Sequence, residues 1–180
     1  MRRMLEMALR HNGPLALRYP RANTTGNERI HASERREMLH GRAEVLHEGD
    51  GNGVVVWALG AMVEQALEAA ERLALNGIQI GVVDARFAKP LDTELLTLHA
   101  TQRRALITVE EHQRAGGFGS AVLECVSRLP NVRASIRVLA IPDRFFEHKT
   151  TREEQLEDAG LDAVAIERAV RSALNAQQPV

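Results

Sequence analysis

Glu110, Glu111 and His112 are three consecutive proton carriers, and Gly116-Gly117-Phe118-Gly119 follows them closely. A carboxylate and an imidazole converging on one point could do general acid–base work. Consecutive residues at a strand end point in different directions, so the triplet is expected to diverge, with one carboxylate capping or pairing structurally. A glycine-rich loop ahead of a helix exposes backbone N–H groups that can cradle an anion. The favoured reading is a tight turn that lets the helix pack close to a sheet. Arg86 and Lys89 lie just past the C-terminal end of a predicted strand, where open α/β sheets place their ligands. There too the favoured reading is structural, a strand-to-helix turn with Pro90 in the first turn of the helix.

Asp50 and Asn76 carry the hard oxygens that a divalent cation takes. Gly49-Asp50-Gly51 followed downstream by Asn76 resembles the signature in which Mg²⁺ bridges the diphosphate of thiamine diphosphate. The context argues against it. The glycines are expected in a hairpin turn between two strands, and Asn76-Gly77 reads as a helix C-cap. No metal site is assigned. His31, His40 and His47 are scattered without ligand spacing. Cys125 reads as a small hydrophobe on the apolar side of a helix, and Tyr19 as a packing residue.

The elements that must position these groups follow from periodicity. Residues 1–10 space apolar side chains as a helix does, and Gly13 and Pro14 stop it. Leu15 to Arg21 reads as a short strand. A lone helix and a lone strand bury little, so residues 1–21 are expected to be the tail of another domain. Residues 22–41 are nearly devoid of apolar side chains and are expected to be a linker. From residue 42 the order is strand, strand, helix, strand, helix, strand, helix, strand and closing helices. Val54 to Leu59 is continuously apolar, as in a strand covered on both faces. Alternation of this kind predicts a three-layer α/β/α domain over 42–180, with a mostly parallel five-stranded sheet. The first strand, joined to the second by a short turn, should be an antiparallel edge strand.

Composition narrows the function. The 180 residues include one cysteine, which excludes a disulfide framework and a cysteine zinc site. A formal net charge of -1 argues against a general nucleic-acid binder. No apolar run is long enough to span a bilayer, and the N-terminus makes a poor signal peptide, so no membrane partner and a reducing cytoplasm are expected.

Several stretches together resemble the 1-deoxy-D-xylulose-5-phosphate synthase family of the transketolase superfamily. They are Leu17-Arg18-Tyr19-Pro20-Arg21, Asp84 to Asp92, Val109 to His112 with Gly116 to Ser120, Ile141 to Phe145, and Leu156 to Asp162. Asp143, Arg144 and His148 belong to this pattern, although Lys149 stands where the family usually has glycine. The resemblance covers only the C-terminal part of such an enzyme. Residues 1–21 then correspond to the end of the pyrimidine-binding domain and 42–180 to the transketolase C-terminal domain.

The family reaction joins pyruvate to glyceraldehyde 3-phosphate with loss of carbon dioxide, in isoprenoid precursor synthesis. Thiamine diphosphate and Mg²⁺ serve the intact enzyme, and neither is expected on this chain alone. The resemblance implies that Arg21 grips the substrate phosphate, for which a guanidinium offers a planar donor fork. Without it, Arg21 would read as a solvated linker residue. No catalytic residue is assigned. The implied partners are the missing N-terminal domains and a second copy in a homodimer. The alternatives are a non-catalytic interaction module, an anion sensor using the strand-end crevice, or the C-terminal domain of another superfamily enzyme such as a pyruvate dehydrogenase beta subunit.

Overall fold

A computed structural model describes residues 2–19, 38–50, 53–147 and 151–176. Helix α1 (Arg2–Arg10) opens the chain, and residues 14–19 run on without strand pairing, where a strand was expected. The domain proper follows as β1 (Glu44–His47), β2 (Val54–Ala58), α2 (Met62–Ala74), β3 (Gly81–Asp84), α3 (Thr93–Gln102), β4 (Ala105–Gln113), α4 (Phe118–Val126), β5 (Ser135–Ile141), α5 (Arg152–Ala159) and α6 (Ala163–Asn175).

The five strands lie in the order β1-β3-β2-β4-β5. β3, β2, β4 and β5 are parallel, and β1 is the antiparallel edge strand. The architecture matches expectation, but the partner of β1 does not. The expected hairpin would pair β1 with β2, whereas β1 pairs with β3, with Glu44 opposite Asp84. The short connection instead crosses the head of β3. Gly49 makes the crossing possible: a Cβ there would lie 2.5 Å from the Gly81 nitrogen and the Ile80 carbonyl carbon. β2 thereby gains parallel neighbours on both sides, which suits a strand buried at every position.

Strand alternation divides the core in two. Val54, Val56 and Ala58 face α2 and α6, with Leu73, Ile166 and Val170. Val55 and Trp57 face α3 and α4, with Leu96, Leu106 and Val122. Each fully buried valine, leucine or isoleucine contributes about 1.5–3 kcal/mol. Three helices are capped by the side chain of their N-cap residue: Asp92 accepts from the Leu95 N–H at 3.1 Å, Thr151 forms a capping box with Glu154, and Asp162 accepts from the Ala165 N–H at 3.0 Å. Asp92 also accepts from the Ala43 N–H at 3.0 Å, which ties the lead into β1 to α3.

The N-terminal segment lies over the C-terminal ends of the strands. The His11 and His40 rings are 4.6 Å apart, and His40 meets Phe87 edge-on at 5.5 Å. Arg18 reaches the carbonyl of Glu111 at 3.5 Å.

Candidate functional site

β4 delivers Glu110, Glu111 and His112 to the strand-end side, and there they part. Glu110 is buried, and its two carboxylate oxygens accept from the Phe118 and Gly119 N–H groups, each at 2.7 Å. Glu111 pairs with Arg152 at 2.8 Å, and His112 is exposed. The triplet therefore forms no acid–base cluster, and a carboxylate does cap a helix, as its spacing suggested.

This capping also explains the glycine-rich turn. The N-terminus of α4 attracts an anion through its orphan N–H groups and its dipole. That anion is the chain's own Glu110, bound where α4 begins at Phe118. Gly117 makes room for it, and Gly119 lets α4 close on the sheet. A Cβ on Gly117 would lie 2.5 Å from the Glu110 carboxylate, and one on Gly119 would lie 2.5 Å from Val138 and 2.7 Å from the Thr108 hydroxyl.

Arg86 and Lys89 are not brought together. Lys89 is exposed, whereas the Arg86 side chain is 7% exposed. Its guanidinium pairs with Glu44, and its Nε lies 3.7 Å from Asp84. Arg86 adopts φ 56°, a left-handed backbone for a non-glycine residue. Its own N–H donates to the Asp84 carboxylate at 3.0 Å. Like charges face each other across the β1–β3 pair at Glu44 and Asp84, and Arg86 bridges them. Burial pushes the Asp84 carboxyl up to about 6, and the hydrogen bond from Arg86 opposes the shift. Burial first, and the charge of Arg3 second, lower the Arg86 pKa.

A buried polar pair went unread in the sequence. The Trp57 indole N–H donates to Nδ1 of His99 at 3.0 Å. Burial pushes the His99 imidazole down to about 4, the charge of Arg103 adds to the fall, and Asp92 opposes it. The ring is thus neutral, with its proton on Nε2. An imidazole in the last turn of α3, over a strand carrying the one tryptophan, was the available signal.

Asp50 and Asn76 each serve their own turn. The Asp50 carboxylate accepts from the Gly53 N–H at 2.7 Å, and the Asn76 amide donates to the Arg72 carbonyl at 3.0 Å. Among the described residues no group of three or more His, Cys, Asp and Glu could hold a metal ion. Asp50 and Asn76, each committed to its own turn, therefore do not fit Mg²⁺ or a diphosphate. Asp50 lies in a crossing turn rather than the expected hairpin. Cys125 is half-buried against the α3–α4 core. His47 contacts the Ile80 carbonyl at 2.8 Å. Tyr19 is 67% exposed, against the expectation of packing. Arg144 pairs with Asp158 at 2.8 Å and stacks on Phe146 at 4.2 Å. Arg21, His31, His148 and Lys149 lie outside the described residues.

Comparison with known proteins follows the same line. The family model described as "Transketolase, C-terminal domain" matches residues 41–166. The 1-deoxy-D-xylulose-5-phosphate synthase of Heliobacterium modesticaldum is 40% identical over 178 residues, 99% of this chain and 27% of that protein. "1-Deoxy-D-xylulose-5-phosphate synthase 1" of Geobacter sulfurreducens is 42% identical over 98% of this chain and 27% of its own length. The synthase of Thermus thermophilus is 44% identical over 94% of this chain and 26% of its own length. The chain thus spans about a quarter of the length of the curated relatives it matches. Among solved structures, a split-gene transketolase described as an inactive beta4 tetramer superposes with a TM-score of 0.67 at 39% identity. The match covers 78% of this chain and 43% of that one. A transketolase from Pichia stipitis, 14% identical with a TM-score of 0.51 over 77% of this chain and 20% of its own, shares the fold.

Proposed function

The chain belongs to the transketolase C-terminal domain family, and we propose that it serves as the C-terminal portion of a 1-deoxy-D-xylulose-5-phosphate synthase, inactive by itself. One observation carries the reading. The family model begins at residue 41, whereas the synthase of Heliobacterium modesticaldum matches 178 residues, and so extends through the N-terminal segment as well. Shared descent over both parts favours this synthase over a stand-alone module.

In this reading residues 1–21 close a pyrimidine-binding domain, 22–41 link, and 42–180 form the C-terminal domain. The assembled enzyme is a cytoplasmic homodimer that condenses pyruvate with glyceraldehyde 3-phosphate. Thiamine diphosphate and Mg²⁺ are held by the remaining polypeptide, because Asp50 and Asn76 are committed to local turns. Arg21 is the residue of this chain that binds substrate, through the phosphate of glyceraldehyde 3-phosphate. The domain itself supplies a rigid shelf of strand ends over which the N-terminal segment passes.

The test is calorimetric titration with thiamine diphosphate and Mg²⁺. It is run on the purified chain, then on the chain mixed with the first three-quarters of the Heliobacterium modesticaldum relative. Binding and turnover only in the mixture are expected. Turnover by the chain alone refutes the inactive-fragment reading, and absence of both in the mixture refutes the synthase assembly.

A further inference from the structure

Glu44 and Asp84 face each other across the β1–β3 pair, and one guanidinium serves both unequally. Arg86 Nη2 bonds the Glu44 carboxylate, whereas its Nε stops 3.7 Å from Asp84 Oδ2 and has no hydrogen-bond partner among the described residues. The donor that does reach Asp84 is the Arg86 backbone N–H, at 3.0 Å. A half-served carboxylate in this position gains from a proton, which removes the charge that a single cation leaves uncompensated. β2, the other neighbour of β3, presents Val54 to Ala58 and no charge. Lys89 is exposed, and Arg42 is engaged by Asp92 and Glu94. The positive charges of Arg3 and of the chain's amino group act through their fields, the first on Arg86 and the second on Asp84.

The sheet is also easiest to open at this place. β1 is a four-residue edge strand, none of its residues is fully buried, and its register with β3 breaks between Val45 and His47. The turn after β3 carries Arg86 at φ 56°, a strained backbone that the Asp84 acceptor helps to hold. Opening hydrates both carboxylates and lets Arg86 relax. The chain enters the domain through β1, so opening there loosens the entry while the buried core stays packed.

We propose that Glu44, Asp84 and Arg86 form a proton-operated latch on β1: a proton on Asp84 keeps the edge strand and the turn after β3 closed, and loss of that proton lets the two open as one unit. The sign follows from linkage. Burial raises the closed Asp84 carboxyl to about 6, against the pull of the Arg86 N–H, and hydration in the open form returns it to 3.8. The open form therefore gives up its proton first, and opening is favoured as pH rises through that interval. Between pH 5 and 7.5 the two values give a rise of about tenfold in the opening constant. Global unfolding carries His99 as well, whose folded pKa of about 4 acts in the opposite sense. Amides that open only with the whole domain should therefore not follow those of β1.

The experiment is amide hydrogen exchange of the full chain between pH 5 and 7.5, corrected for the pH dependence of exchange itself. The amides that pair β1 with β3 are expected to open about tenfold more often at the upper pH, while those that pair β2 with β4 do not speed up. Asp84→Asn, neutral at every pH, should flatten the β1 profile and hold the strand closed. A flat β1 profile in the wild-type chain overturns the latch, whatever the variant does. A rise that persists in Asp84→Asn assigns the effect to another group and overturns it as well.

Discussion

Replacing Glu110 by Gln tests the central device of the strand-end side. In the wild type two backbone N–H groups at the start of α4 donate to one buried carboxylate, each at 2.7 Å. A hydrogen bond to a charged group contributes about 1.5–3 kcal/mol, and the helix dipole adds a fraction of that. Glutamine keeps one oxygen as acceptor but turns an amide NH₂ toward the second N–H. One bond is lost, and two donors then face each other without water. The expected loss is about 2–4 kcal/mol. Alanine strands both N–H groups and opens a void beside Gly117, so Glu110→Ala should cost about 4–5 kcal/mol.

The assay is urea unfolding followed by Trp57 fluorescence, since the one tryptophan is buried on β2, with circular dichroism as a second probe. In a chain of this length the glutamine variant should melt roughly 5–15 °C lower. A Glu110→Gln variant within about 0.5 kcal/mol of wild type would refute the argument that the carboxylate charge secures α4. Inorganic phosphate should stabilise Glu110→Ala, whose N–H pair is vacated, and leave the wild type unchanged; stabilisation of the wild type through this turn would revive the anion reading.

His99 predicts an acid limb. Its folded pKa of about 4 lies below the unfolded 6.5. The unfolded chain therefore binds the proton first, and the contribution of His99, full above pH 6.5, is lost as pH falls toward 4. That amounts to about 3 kcal/mol, and His99→Gln should flatten the urea-midpoint profile across this window. Asp84 acts with the opposite sign: its folded pKa is raised from 3.8 to about 6, so the native state keeps the proton and stability falls as pH rises through that interval. Asp84→Asn should consequently steepen the His99 limb, and an unchanged slope would contradict the burial of this carboxyl. Gly119→Ala drives a Cβ into Val138 and Thr108 and should cost about 2–3 kcal/mol by thermal melting, whereas Gly60→Ala, with open space and φ +63°, should cost about 1 kcal/mol. In the assembled enzyme Arg21→Ala should raise KM for glyceraldehyde 3-phosphate at least about tenfold and leave KM for pyruvate unchanged; equal effects on both would remove the phosphate role.

The layered architecture was legible because it rests on period. The all-apolar run Val54 to Leu59 admits burial on both faces, and the helix after it repeats alanine and leucine on one side. The partner of β1 was not legible, because turn dipeptides at Asp50-Gly51 and Asn52-Gly53 signal a reversal without saying what it crosses. The deciding facts are distant in sequence: Gly49 against Gly81, and Arg86 bridging Glu44 and Asp84. The apolar surface of the N-terminal segment was half legible. Its helix could not bury itself alone, but the sequence offered no sign that His11 would stack on His40 and carry the segment across the strand ends.

The structural reading of these motifs has a single physical reason behind it. Residue type tells which ligand a group could take, and only the fold tells whether a counter-group of the same chain already takes it. The N–H pair of α4 has Glu110, the Arg86 guanidinium has Glu44 and Asp84, Glu111 has Arg152, and Asp50 has the Gly53 N–H. Each pairing would have to be broken before a phosphate or a cation could enter, and for a buried charge that cost runs to about 3–5 kcal/mol. An external ligand at the buried Glu110 or Arg86 must exceed that cost before it shows any affinity, whereas the pairings of the half-buried Glu111 and the exposed Asp50 are cheaper to break. At the C-terminal ends of the strands Glu110, Glu111 and Arg86 are therefore each held by a partner of the same chain, and a ligand arriving there must break one of these pairs to reach a charged group.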